Sequence, residues 1–72
     1  MGVSGLAGPA IGLRGTITIA TRGEDGPGEV ELSIEGGSET FIAYSDDPLP
    51  RGAMVVVIDV RPSRKVDVAL LA

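Results

Sequence analysis

Glu29-Val30-Glu31-Leu32-Ser33-Ile34-Glu35 alternates polar and apolar residues without a break. Residues two apart share a face only in an extended strand, so Val30, Leu32 and Ile34 make one apolar face and Glu29, Glu31, Ser33 and Glu35 a solvated one. The next residues, Glu35-Gly36-Gly37-Ser38, fit a tight hairpin, because paired glycines take positive φ without steric cost. A returning strand over 39–45 follows. The same period recurs on both sides. Upstream, 13–21 places Ile17, Ile19 and Thr21 on one face and Thr16, Thr18 and Ala20 on the other. It is separated from 29–35 by Arg22-Gly23-Glu24-Asp25-Gly26-Pro27-Gly28, a string suited to turns and to no element interior. Downstream, the polar and Pro-rich Asp46-Asp47-Pro48-Leu49-Pro50-Arg51-Gly52 leads to a strand over 53–61, where Val55-Val56-Val57-Ile58 favours strand over helix. Arg61-Pro62-Ser63-Arg64 turns the chain, and 65–71 closes it with Val66, Val68 and Leu70 in one phase.

Short strands at 13–21, 29–35, 39–45, 53–61 and 65–71, without an amphipathic helix, predict an all-β fold, a small five-stranded antiparallel barrel. Closure covers strand edges that would otherwise stay unpaired. The OB-fold (the oligonucleotide/oligosaccharide-binding barrel) is the leading candidate and an SH3-like barrel the alternative. OB-folds often carry a helix between strands three and four. Here that connection is just Asp46–Gly52, so the helix is expected to be missing. The in-phase positions Ile17, Ile19, Val30, Leu32, Ile34, Phe41, Ala43, Val55, Val57, Val66 and Val68 are the expected core.

Seventy-two residues make one small domain, with 12–72 as the barrel and 1–11 as a flexible N-terminal linker. Met1 to Ala10 carry no charged side chain and are broken by Gly2, Gly5, Gly8 and Pro9. They lack the basic start and continuous apolar core of a signal peptide, and Leu6 stands where a myristoylation signal needs Ser or Thr. Hydrophobic residues make up 43% of the chain and mean hydropathy is +0.29, too apolar for a disordered tail. No apolar run approaches the roughly 20 residues that span a bilayer.

The absence of Cys and His removes thiol nucleophiles, imidazole bases, Ser-His-Asp triads and the usual soft metal sites. No catalytic residue, cofactor or metal is expected, and the chain reads as a non-enzyme. Asp46-Asp47 with Glu24 or Asp25 could suggest a hard cation, but the spacing of a calcium loop is missing. Gly23 to Gly28 lacks the Lys-Ser/Thr ending and following helix of a phosphate loop. Ser4, Ser33, Ser38, Ser45 and Ser63 have no plausible base near them in sequence, and Lys65 alone leaves a Ser-Lys pair open. Six Lys+Arg against ten Asp+Glu give a net charge of −4, which repels phosphate backbones. Arg61, Arg64 and Lys65 form a basic cluster of the kind over which OB-folds stack single-stranded nucleic acid on aromatic rings. That is the alternative functional reading, a free-standing OB-fold domain for single strands. Phe41 and Tyr44 lie on opposite faces of their strand, so at most one of them offers a platform, and nucleic acid is not the expected partner.

The strand phase also leaves apolar residues outside. With Val55 and Val57 inward, Met54, Val56 and Ile58 point outward, and Ile42 and Tyr44 join them. Contiguous apolar surface of this kind marks contact sites, and these five residues are the candidate partner-binding surface. The alternative is that the N-terminal segment, through Leu6 and Ile11, folds over them.

Gly12-Leu13-Arg14-Gly15-Thr16-Ile17-Thr18, Pro27-Gly28-Glu29-Val30, Ala43-Tyr44-Ser45, then Leu49-Pro50-Arg51-Gly52 followed by Val55, Val57 and Val60, and finally Val66 and Val68 resemble the C-terminal soluble domain of NfeD-like membrane proteins. The resemblance covers nearly all of 12–70. It implies a five-stranded OB-fold barrel attached after transmembrane helices, on the cytoplasmic side of a membrane. It further implies a non-catalytic protein-interaction module acting with stomatin, prohibitin or flotillin-type membrane scaffolds. The implied partner is a stomatin-like membrane protein or a second copy, without direct membrane insertion by this segment. Longer members carry an N-terminal serine protease, and nothing in this chain matches one. Two features depart from the pattern: the first turn is longer and more acidic, with Glu24 and Asp25, and Phe41 stands where a larger aromatic is common. Both bear on the shape of a partner surface more than on the fold.

Overall fold

The computed structural model describes residues 10–34 and 36–71. Strands form where the two-residue period runs: Arg14–Ile19 (β1), Gly28–Ile34 (β2), Gly37–Tyr44 (β3), Met54–Arg61 (β4) and Lys65–Leu70 (β5). They close into a barrel in the order β1-β2-β3-β5-β4, with β4 returning to β1. Neighbours run antiparallel except β3 and β5, which pair in parallel through Ile42↔Lys65, Ala43↔Val66 and Tyr44↔Asp67. This exception is geometrical: a ring with an odd number of strands cannot alternate direction all the way round. Between β1 and β2 the chain makes a single 3-10 turn, Gly23–Asp25.

Most of the expected linker, including Leu6, lies outside the described residues. Ala10 is buried, and the Gly12 amide donates to the Val57 carbonyl at 2.8 Å, so the chain enters β1 along β4.

Ile17, Val30, Leu32, Phe41, Ala43, Val55, Val57, Val66 and Val68 pack into one buried cluster, and Ile34 is packed against its edge. Ile19 departs from the expected core and is 53% exposed. Its register explains why: Ile17 pairs with Val30 and Ile19 with Glu29, so β1 bulges between them and the phase of its last residue is reset. A second bulge lies in β4 at Ile58, between the pairs Val57↔Val68 and Asp59↔Asp67. It turns Val60 back towards the core, against Val66.

The connection from β3 to β4 has no helix. Leu49, between two prolines, sinks to 6% exposure and joins the core cluster. Thr21 holds this connection in place from the other end of the sequence. Its amide donates to the Leu49 carbonyl at 2.9 Å, and its hydroxyl oxygen accepts from the Leu49 amide at 2.8 Å. The same oxygen lies 2.6 Å from the Ser45 hydroxyl, which donates to the Asp47 carbonyl at 2.7 Å. A buried hydroxyl is costly unless bonded, and this one is bonded on every side.

The β4–β5 turn is built without glycine: Ser63 (φ 67°) and Arg64 (φ 60°) both adopt the left-handed conformation. For side-chain-bearing residues that costs about 1–2 kcal/mol each. Arg64 offsets it by reaching β3, where its guanidinium bonds Glu39 at 3.0 Å and the Thr40 carbonyl at 3.2 Å.

Candidate functional site

Two of the three basic residues of the β4–β5 hairpin, Arg61 and Arg64, are committed within the fold. Arg61 lies 3.9 Å from the Tyr44 ring centre and grips both oxygens of Asp67, at 2.8 and 3.0 Å. The bond to Asp67 raises the Arg61 pKa above its ordinary value. Arg64 caps Phe41 at 4.7 Å while paired with Glu39. Each aromatic ring of the chain therefore sits under an arginine, and a base would have to displace that arginine in order to stack. Among the described residues, no group of three Asp or Glu is placed to hold a metal ion.

The outward apolar residues fall into two groups. Met54 and Ile58 are 52% and 56% exposed, and Val56 between them is half-buried. Val56 stands between Arg14 of β1 and Ala69 of β5, and Met54 stands beside Thr16, whose hydroxyl donates to its sulfur at 3.6 Å. Ile42 and Tyr44 are half-buried on β3. Because β5 runs between β3 and β4, the outward-facing Lys65 and Asp67 separate them from the β4 group. Strand phase identifies the outer face of each strand; it does not say which strands are neighbours. Ile11, expected as a possible cover, is itself exposed.

A groove of about 520 Å³ opens beside the β4 group. One wall is the start of the β3–β4 connection, Ser45–Leu49, held by the Thr21 bonds. The other is the end of β5, Asp67–Leu70, with Ile58 and Asp59 of β4. Sequence reasoning misses this groove because it follows from where β3 stops pairing with β5. The exposure of Leu70, 58%, was equally hidden, since it shares the phase of buried Val66 and Val68 but lies at the barrel end.

Among the described residues, no helix is long and apolar enough to cross a membrane. Residues 14–69 match the model of the NfeD C-terminal domain. The soluble domain of the NfeD protein YuaF from Bacillus subtilis superposes with a TM-score of 0.70 at 28% identity, covering 82% of this chain and 70% of that one. The C-terminal domain of stomatin operon partner protein 1510-C from Pyrococcus horikoshii gives a TM-score of 0.72 at 22% identity, over 92% and 94% of the two chains. A soluble domain from Corynebacterium glutamicum, of a membrane protein implicated in regulation of membrane protease activity, gives 0.64 at 19% identity, over 89% and 95%. At 22% and 19% identity the last two establish the shared fold alone. No curated protein sequence matches the chain.

Proposed function

The chain belongs to the NfeD C-terminal domain family, and from that premise we propose that it is a non-catalytic docking module. It presents the outer face of β4, with Ile42 and Tyr44 on β3 beyond the intervening β5, to a stomatin-type protein on the cytoplasmic side of a membrane. The observation that carries this reading is the apolar run Met54, Val56 and Ile58 on the outside of a closed barrel, where solvent favours polar residues. The absence of His and Cys supports a role in binding over catalysis. The partner class is supported by the relative that is itself called a stomatin operon partner protein.

Met54→Asp places a charge at a half-exposed position, where it leaves the core intact but strands a carboxylate in an apolar contact. Co-sedimentation with vesicles bearing a stomatin-type protein is expected to fall by about tenfold or more. Ile19→Asp, equally exposed but at the far end of β1, is expected to co-sediment like the parent chain. Equal recovery of the two variants would remove the β4 face, and failure of the parent chain to sediment would remove the stomatin-type partner.

A further inference from the structure

Among the described residues, β5 forms residue pairs on one side only past Asp67. Its pairing to β3 ends at Tyr44↔Asp67, whereas its pairing to β4 continues to Val55↔Leu70. The strand is regular there, and successive residues aim their backbone groups at opposite neighbours. Arg64 accepts from Ile42 on the β3 side, and Leu71 donates to Met54 on the β4 side. Even-numbered residues therefore face β3; the Tyr44↔Asp67 pairing engages the Val68 amide, and beyond it the Val68 carbonyl and the backbone of Leu70 face the groove. The helix that often follows the third strand of an OB-fold is absent, and the short connection that replaces it forms the opposite wall; among the described residues nothing covers this edge.

An unpaired edge in a groove is a template for one more strand. Its surroundings specify which strand. Ile58 and Leu70 offer exposed apolar surface in the lining of the groove. Asp46, Asp47 and Asp59 line it, and among the described residues the ion pairs are Arg61–Asp67 and Arg64–Glu39, so these three carboxylates have no ion-pair partner. A second copy of this edge would set the three carboxylates against three more, and nucleic acid or an anionic membrane would be repelled in the same way. We infer that the groove takes an extended segment of another protein, alternating basic and apolar residues, which adds to the Val68–Leu70 edge of β5 as a further strand. The inference rests on the docking-module reading and gives that module a second contact, next to the β4 face.

The test is titration of the 72-residue chain with a synthetic peptide of about eight residues alternating Lys and Val, followed by amide NMR. Shifts are expected at Ser45–Leu49 and Val68–Leu70, and the affinity should weaken with salt. Leu70→Pro removes a groove-facing donor while keeping the Leu71 bond to Met54, and is expected to weaken binding by about tenfold. Leu70→Ala, which keeps the donor, is expected to cost at most about threefold. Equal binding by Leu70→Pro and Leu70→Ala, equal binding of a Glu–Val peptide, or shifts confined to other strands would overturn the inference. Concentration-dependent shifts at the same amides without peptide would overturn it in favour of self-association. Since Met54 does not line the groove, the Met54→Asp result fails or succeeds independently of this titration.

Discussion

Gly28→Ala is expected to abolish the cooperative unfolding transition of this domain. Gly28 is buried where β2 begins, and a Cβ there would collide with the Ile19 carbonyl oxygen and lie 2.5 Å from that of Ala20. The obstructing atoms are backbone, so no rotamer change makes room. The added methyl forces β1 and β2 apart at the bulge that bends the sheet. Ordinary overpacking costs about 1–3 kcal/mol where side chains can yield, and a clash between main chains lies at or above the upper end of that range. A domain this short has little stability to lose. Urea denaturation followed by circular dichroism checks the expectation; an unchanged midpoint would mean that the two strands separate freely at Gly28.

Leu32→Ala is expected to cost about 2–5 kcal/mol, through lost burial and the cavity left behind. Leu32 is fully buried on β2, between Gly15 of β1 and Glu39 of β3, with no element free to collapse inward. Ile19→Ala removes a similar volume of side chain from an exposed position, and should stay within about 0.5 kcal/mol. Parallel denaturation of the two variants separates core membership from hydrophobicity as such, and equal midpoints would show that the bulge does not place Ile19 outside.

The contrast between these two residues also shows how far the sequence can be read. Strict alternation over 29–35 makes Val30 and Leu32 recognisable as core, and the Val66–Val68 spacing does the same for β5. Ile19 is misread because a bulge leaves no trace in composition: it changes which residues oppose one another, and period alone carries no partner information. Leu49 hides in a Pro-rich connection, where no period exists to place it inward. The left-handed Ser63 and Arg64 are equally silent, since the usual sign of such a turn is a glycine and here the Arg64 contacts to β3 take its place. The outward apolar residues of β4 are legible from phase. The groove beside them is not, because it arises from strand order and from where one pairing stops.

The parallel β3–β5 seam has a kinetic consequence. β2–β3 and β4–β5 are hairpins joined by short turns, whereas the two seams that close the ring, β1–β4 and β3–β5, join residues far apart in the chain, as in Thr16↔Met54 and Ala43↔Val66. Bringing distant residues together costs loop-closure entropy before any contact rewards it, so the hairpins form early and the seams close on the native side of the folding barrier. Substitutions at the Val30–Phe41 pair should therefore slow refolding, and substitutions at the Thr16–Met54 pair should chiefly speed unfolding, in stopped-flow measurements. The reverse pattern would mean that the ring closes before its hairpins are set. Opened along the three-residue parallel seam, the native barrel becomes a curled sheet with β3 and β5 at its margins, and this is the partly unfolded form the topology makes most accessible.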